Sequence, residues 1–115
     1  MKTQRDIEDI AQLFKVLSDP TRLRLLLLLG AQVEKPEGLE MACDEGSQFL
    51  CVNALSHRLQ VTQSAVSQHL RILRQVGLVQ GVRRGPFMHY TLNKDTLEAY
   101  REALRTTLTE LALFG

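Results

Sequence analysis

The run from Gln63 to Arg71 holds the side chains with the clearest chemistry in this 115-residue chain. Placed on a helix at about 100° per residue, Val66, Leu70 and Leu73 fall together and predict a core-facing stripe. The opposite face then carries hydroxyls, amides and one guanidinium but no acid: Ser64, Ser67, Gln68, Arg71 and Gln75. Such groups bond base edges and phosphates in a major groove, where Arg reads guanine and Gln reads adenine. This face predicts contact with nucleic acid, and a plain solvated helix is the alternative.

The charges along the chain are separated in a way that suits a polyanionic partner. Residues 46–94 contain no Asp or Glu, yet they hold all three histidines and six of the fourteen Lys and Arg residues. The thirteen acids lie outside this stretch, so a formal net charge of +1 conceals a basic middle with acidic ends. Phosphates are attracted to such a surface because neutralising them releases condensed counterions. A chance run on a solvated face is the other interpretation.

The polar run belongs to a pair of short helices. A first helix is predicted by apolar residues at helical spacing: Val52, Leu55 and Leu59. After a tight connection, Thr62 is a suitable cap for the second helix, and Gly77 supplies the left-handed residue that ends it. Residues 52–76 therefore predict a helix-turn-helix.

A hairpin follows and supplies further cationic side chains. Residues 78–92 contain two strand-like segments around an Arg-Arg-Gly-Pro turn. Arg83 and Arg84 near a short tip suit phosphate or minor-groove contact, and His89 lies on the returning strand. Basic hairpin tips are common, but beside the preceding helix this one predicts the wing of a winged helix-turn-helix. The predicted fold class is mainly α with a two-stranded β-wing.

Two amphipathic helices enclose this middle region. Residues 6–17 and 95–113 each carry an apolar stripe at helical spacing: Ile7, Ile10, Phe14 and Leu17 in the first, Leu104, Leu108 and Leu111 in the last. Ser18-Asp19-Pro20 predicts a stop and a new start before an almost wholly apolar helix over residues 21–29. Residues 31–49 have weak periodicity and predict a long loop, which is uncommon in a small domain and often functional.

Length and composition allow one domain, residues 1–115, and argue against several classes of protein. Apolar residues make up 44% and charged residues 23%, which is ordinary for a globular chain. No run approaches the ~20 apolar residues of a membrane span, and the first residues lack a signal-peptide core, so a cytosolic location is expected. There is no phosphate loop and no pairing of nucleophile with base, so the chain is not expected to be an enzyme.

The chain has two thiols, Cys43 and Cys51. They lie eight residues apart across the predicted loop and could meet as a dithiol that forms a disulfide. The same pair could bind a soft metal or trivalent arsenic together with a third donor. The alternative is that Cys51 is a small buried apolar residue and Cys43 an incidental loop thiol. A nucleophile pairing Cys51 with His57 has little support, because their spacing of six residues does not share a helix face.

Four short segments carry motifs that occur together in one protein family. Residues 18–26 are Ser-Asp-Pro-Thr-Arg-Leu-Arg-Leu-Leu, and residues 63–73 are Gln-Ser-Ala-Val-Ser-Gln-His-Leu-Arg-Ile-Leu. Gly-Leu-Val at 77–79 and Tyr-Thr-Leu at 90–92 begin and end the predicted wing. In this combination the chain resembles the ArsR/SmtB family of bacterial repressors, with residues 18–26 as the opening signature and 63–73 as the recognition helix. The resemblance covers about residue 6 to residue 112.

The resemblance implies a homodimer that blocks a promoter and is released by a metal ion or another inducer. Family members dimerise through their first and last helices, which implies an interface of Ile7, Ile10, Phe14, Leu104, Leu108 and Leu111. A two-fold dimer presents two recognition helices about one turn of DNA apart, so the expected partner is double-stranded DNA with an inverted repeat. In each subunit the expected DNA contacts are Thr62, Gln63, Ser64, Ser67, Gln68, Arg71, Arg83, Arg84 and His89.

The chain departs from the metal-sensing members of that family at both of their ligand positions. Where those members have Cys-Val-Cys, this chain has Cys-Val-Asn at residues 51–53, so an amide replaces one thiol. No His or Cys follows His89, so the zinc site of the last helix is absent. Cys43 and Cys51 remain the candidate sensing element, for a thiophilic metal or metalloid or for an oxidant, and the inducer stays open.

These observations predict a sequence-specific transcriptional regulator, a repressor released by an inducer. The rival hypothesis comes from a different class, a winged helix that contacts proteins and never binds DNA. In that case the outer face of the second helix should be apolar or acidic, and it is neither.

Overall fold

The structure is a computed structural model that describes residues 4–31 and 51–114. Within these ranges the elements follow in chain order: α1 Gln4–Leu17, α2 Pro20–Gly30, α3 Val52–Leu59, α4 Gln63–Gln75, β1 Val79–Arg84, β2 Phe87–Leu92 and α5 Lys94–Phe114. This order confirms the predicted class, mainly α with a two-stranded wing. Apart from Ala31, the long loop predicted for residues 31–49 lies outside the described residues.

The start of α2 depends on Asp19. Its backbone is extended, and its carboxylate accepts hydrogen bonds from the N–H groups of Thr21 at 2.8 Å and Arg22 at 3.2 Å. Pro20 takes the first helical position, where the absence of an N–H is harmless. The bond from the Arg22 N–H is the main reason that the pKa of Asp19 is lowered, because it stabilises the charged carboxylate.

A tight turn joins α3 to α4. Gln60 adopts a left-handed conformation, with φ of 56°, which allows the chain to reverse between the helices. The Ser56 hydroxyl donates to the carbonyl of Val61 at 2.5 Å and fixes the turn. Thr62 then caps α4, its hydroxyl oxygen accepting the N–H of Ala65 at 3.1 Å. The predicted cap is therefore confirmed.

The core lies where α4 packs against α2, α3 and the base of the wing. Val66, Leu70 and Leu73 are 0–1% exposed, which confirms the apolar stripe predicted for α4. They belong to one cluster with the buried side chains of the neighbouring elements: Leu13, Val16, Leu25, Leu29, Leu55, Leu78, Val79 and Tyr90. Each fully buried leucine contributes about 1.5–3 kcal/mol relative to exposure, so this cluster decides how α4 is seated.

The wing is a two-stranded antiparallel sheet. Its register runs from Val79 opposite Leu92 to Arg84 opposite Phe87, which leaves a two-residue turn at Gly85 and Pro86. Gly85 has φ of +59°, as the first central residue of such tight hairpin turns requires. Strand β1 extends two residues beyond the predicted end at 82, so Arg83 and Arg84 are paired in the strand and not free in the turn.

The outer helices differ from the prediction at one position. Ile7, Phe14, Leu108 and Leu111 are each more than half exposed, and Leu104 is half-buried. Ile10 was predicted to face a partner subunit, but it is 5% exposed and lies in the interior of its own chain. Helical spacing placed Ile10 on the stripe, but spacing alone does not show which part of a stripe is covered by other elements of the same chain, and α1 contacts both α2 and α5. No helix in the described ranges is both long and apolar enough to cross a membrane.

The cap at Asp19 predicts a specific dependence of stability on pH. A carboxyl whose pKa is lowered on folding stabilises the fold above its ordinary pKa of 3.8, and that contribution is lost as the pH falls below this value. Asp19→Asn keeps a capping side chain that cannot ionise. In urea unfolding, the wild type should be the more stable protein near pH 6, and its advantage should shrink steadily as the pH falls below 3.8. An identical pH profile for both proteins would contradict this role of Asp19.

Candidate nucleic-acid interface

The side of α4 opposite the buried stripe faces solvent. All the residues that the sequence assigned to this face are exposed: Ser64, Ser67, Gln68, Arg71 and Gln75. The first turn of α4 contains no acidic residue, and its unpaired N–H groups give that end of the helix a positive potential. The surface thus offers hydroxyls, amides, one guanidinium and a helix N-terminus to a polyanion. The exposed placement is as predicted, and DNA contact by these residues stays a prediction.

An amide pair ties the start of α4 to α3. The side-chain Nε2–H of Gln63 donates to the side-chain amide oxygen Oδ1 of Asn53 at 2.8 Å. From the sequence, Asn53 is only the residue that replaces a thiol, and its contact with a predicted DNA-facing residue was not predicted. The sequence gives no signal for it, because the two residues are ten positions apart and meet only through the turn between the helices.

A second tie links α4 to the first two helices. The Arg22 guanidinium donates through Nε to the Val16 carbonyl at 2.7 Å, and its NH1 lies 3.3 Å from Nδ1 of His69. Because a guanidinium can only donate, Nδ1 of His69 is the acceptor in this contact. Arg22 belongs to the motif at residues 18–26, but its partner on α4 could not be named from the sequence.

The wing holds two of the predicted DNA contacts in opposite environments, Arg83 at the surface and His89 in the interior. Arg83 is exposed in β1, as a DNA contact requires. His89 is 2% exposed, so its predicted role as a DNA contact is wrong. Its ring is enclosed by the protein, and neither ring nitrogen has a hydrogen-bond partner among the described residues. The sequence placed His89 on the correct strand but could not determine which side of that strand packs inward.

Cys51 lies at the junction between the wing and α3. It is the N-cap residue of α3, is 3% exposed, and forms an isolated antiparallel bridge with His89. The Cys51 sulfur is in a disulfide. Cys43, the chain's other cysteine, falls outside the described residues. Among those residues no group of three or more His, Cys, Asp or Glu side chains is placed to hold a metal ion.

Comparison with known proteins places this arrangement in a family. Residues 44–80, which include the helix-turn-helix, match the family described as bacterial regulatory protein, arsR family. The chain is also similar to the arsenic resistance transcriptional regulator ArsR2 of Pseudomonas putida, with 34% identity over 95 residues. That alignment covers 83% of this chain and 70% of the relative. The chain belongs to the arsR family.

Other members of the arsR family extend the comparison. The chain is 37% identical over 82 residues to the arsenical resistance operon repressor of Escherichia coli, covering 71% of this chain and 57% of that protein. The chain thus spans little more than half the length of that curated relative. An ArsR-like transcriptional regulator from Rhodococcus sp. RHA1 has a similar structure, with a TM-score of 0.67 and 25% identity. That match covers 92% of this chain and 85% of the other. The family and the fold are therefore established together.

Proposed function

We propose that this arsR-family protein is a homodimeric transcriptional repressor that binds operator DNA through α4. The supporting observation is the outer face of α4, where exposed hydroxyls, amides and one guanidinium stand on a capped helix without any acid. Ser64, Ser67, Gln68 and Arg71 enter the major groove, while Thr62 and Gln63 lie near phosphate at the helix start. The names of the P. putida and E. coli relatives, a transcriptional regulator and an operon repressor, agree with this proposal.

The rival function, a winged helix that contacts only proteins, receives less support. Protein-binding faces are enriched in aromatic and apolar side chains at their centre, and the exposed face of α4 has none. Large exposed apolar side chains lie elsewhere, on the outer helices (Ile7, Phe14, Leu97, Leu108, Leu111 and Leu113), on α2 (Leu23 and Leu27) and on β1 (Val82). That distribution favours DNA at α4 and a second subunit at α1 and α5.

The inducer in this proposal is a thiol-reactive agent that acts at Cys43 and Cys51. Cys51 begins the helix that supports α4, so a change at its sulfur alters the base on which the recognition helix rests. A difference of about 1–3 kcal/mol in DNA affinity between the two states is enough for regulation. The relatives named for arsenic resistance are consistent with a thiophile as the inducer.

A mobility-shift assay on the DNA upstream of the protein's own gene tests the function directly. Wild-type protein should shift this DNA at concentrations that leave an unrelated duplex free. Oxidant, arsenite and divalent metals are then added in turn, to wild type and to Cys43→Ser and Cys51→Ser. Failure to prefer the upstream DNA would count against the repressor. Release of both Ser variants along with wild type would place the inducer site elsewhere.

The α4 face makes the first binding prediction. Gln68→Ala or Arg71→Ala should weaken operator binding by about 1–3 kcal/mol and relax the preference at one base pair, because each removes a base-edge contact. Affinities are measured on operators that carry single substitutions. Gln12→Ala is the matched control and should bind like wild type, since this exposed glutamine lies on α1 and not on the proposed reading helix. Wild-type affinity for both α4 variants would mean that another face reads the DNA.

The wing makes a different kind of prediction. Replacing Arg83 and Arg84 together by Ala should weaken binding to every duplex alike, because phosphate contacts carry no sequence information. The slope of log affinity against log salt should fall by about one or two units. The control is the double change Arg101→Ala and Arg105→Ala on α5, where both guanidiniums already pair with Glu98 and Glu102. An unchanged salt slope in the wing variant would remove the wing from the interface.

The outer helices make a prediction about assembly. Leu108 is 55% exposed in the single chain, so Leu108→Glu leaves the isolated fold almost undisturbed. In the proposed dimer the same change buries a charge in the interface and should produce monomers that no longer shift operator DNA. Sedimentation at micromolar concentration measures the outcome, with the exposed neighbour Thr109→Glu as control. A wild-type protein that sediments as a monomer would refute the assembly.

A further inference from the structure

One arginine side chain joins three helices. Arg22 lies in the first turn of α2, and its Nε–H donates to the backbone carbonyl of Val16 at 2.7 Å. Val16 is in the last turn of α1, where carbonyl groups have no partner within the helix, so the guanidinium supplies one. The NH1 group of Arg22 lies 3.3 Å from Nδ1 of His69 on α4, 47 positions further along the chain. The same guanidinium thus holds α1 and α2 to α4.

Both ends of this contact are held in place. The backbone N–H of Arg22 donates to the carboxylate of Asp19 at 3.2 Å, which fixes the start of α2. His69 is half-buried and borders the apolar stripe of α4, so its ring has little room to turn away. The hydrogen bonds of the guanidinium are partly buried, so water competes with them less than it does at the surface.

The contact requires one protonation state of His69. A guanidinium only donates, so Nδ1 accepts and the proton of the neutral ring is on Nε2. A protonated imidazole has an N–H at both nitrogens, so it cannot accept from Arg22 and is repelled by it. Asp19 is the other charged group at this contact. Its pKa is lowered mainly by the bond from the Arg22 N–H, and the positive charge of protonated His69 adds to this effect. Protonated His69 is therefore drawn toward Asp19 and away from Arg22.

This contact links the two halves of the proposed repressor. The exposed apolar side chains of α1, Ile7 and Phe14, are buried in the proposed dimer, and α4 carries the proposed DNA contacts. Burial in the apolar cluster is non-directional, whereas hydrogen bonds from one guanidinium to two helices limit how far α4 can slide or tilt. In a two-fold dimer, any tilt of α4 is repeated in the partner and changes the separation of the two copies of α4. The angle of α4 thus decides which spacing of half-sites the dimer can bind.

We propose that Arg22 is a positioning residue for operator recognition, which acts through neutral His69 to set the half-site spacing that the dimer accepts. The partner is double-stranded DNA that carries an inverted repeat. Arg22 does not contact DNA in this role, and it contributes nothing to the reading of a single half-site. The inference rests on the proposed repressor function and adds to it two residues that lie outside the exposed face of α4.

The test measures the binding of duplexes that differ only in half-site separation. A half-site is first selected with the wild type from a random-sequence pool, and two copies are then placed as an inverted repeat at a series of separations. One added base pair moves a half-site by roughly 3.4 Å and rotates it by roughly 35° about the DNA axis, so a rigid dimer cannot follow it. Wild type should therefore bind the preferred separation about tenfold more tightly than separations one base pair shorter or longer.

Arg22→Lys removes the two-ended contact and keeps the charge. Lysine has a single compact ammonium group, which cannot serve Val16 and His69 together in a fixed geometry. The preference among neighbouring separations should fall to within about threefold, while the affinity for a duplex with one half-site stays within about twofold of wild type. A general loss of folding would lower both affinities, so the half-site value separates the two explanations. Arg24→Lys, at an exposed arginine of α2, is the matched control and should keep the preference of wild type.

Two changes at His69 test the acceptor. His69→Phe keeps a ring without an acceptor nitrogen and should lose the spacing preference as Arg22→Lys does. His69→Asn places an amide oxygen close to the position of Nδ1 and should retain the preference. A spacing preference of wild-type strength in both Arg22→Lys and His69→Phe would overturn the proposal.

A measurement on the wild type keeps the proposal testable if a variant does not fold. The ring nitrogen resonances of His69 should show a proton on Nε2 alone at about pH 8, and the pH is then lowered until they show a proton on both nitrogens. At that pH the spacing preference should fall to within about threefold, because Nδ1 no longer accepts from Arg22. A proton on Nδ1 of the neutral ring, or an unchanged preference once the ring is protonated, would overturn the proposal.

The same measurements separate this inference from the repressor function. Wild-type binding to the single half-site without any spacing preference would overturn the positioning role and leave DNA binding in place. If the wild type selects no sequence from the random pool, the repressor function is overturned, and the positioning role with it.

Discussion

The rotation of α4 about its own axis is the constraint on which the rest of the structure depends. The side chains of Val66, Leu70 and Leu73 are at most 1% exposed, and together they determine which side of the helix faces the core. Turning the helix by one residue would expose leucine surface at a cost of about 1.5–3 kcal/mol per side chain. The polar face is therefore held outward by the burial on the opposite side. The surface chemistry of α4 is in this sense a consequence of its core.

Smaller interactions then set where the helix points. The cap at Thr62, the amide pair between Asn53 and Gln63, and the contact of Arg22 with His69 each join α4 to a different part of the chain. A single hydrogen bond of this kind contributes only about 0.5–1.5 kcal/mol, so none of them holds the fold. Their effect is on position, because each limits how far α4 can slide or tilt on the core.

The same core encloses one polar side chain without a hydrogen-bond partner among the described residues, His89 in β2. His89 lies in a low-dielectric interior where a hydrogen bond is strong if made and an unmade one is unfavourable. Most buried residues here are apolar and have one stable arrangement. His89 is the exception among the described residues of the core, because neither of its ring nitrogens has a hydrogen-bond partner there.

The sequence alone determined the periodic features of this protein. Helical spacing located the core stripe of α4, and Thr62 and Gly77 marked where that helix starts and stops, because caps and left-handed residues act within a few positions of the chain. Tertiary structure decided what spacing could not. Ile10 lies on the predicted partner-facing stripe but is covered by its own chain, and His89 lies on the predicted wing but faces inward. Both were assigned wrongly because burial depends on which elements come into contact, and those contacts join residues distant in sequence. The bridge between Cys51 and His89, 38 positions apart, was hidden from the sequence for the same reason.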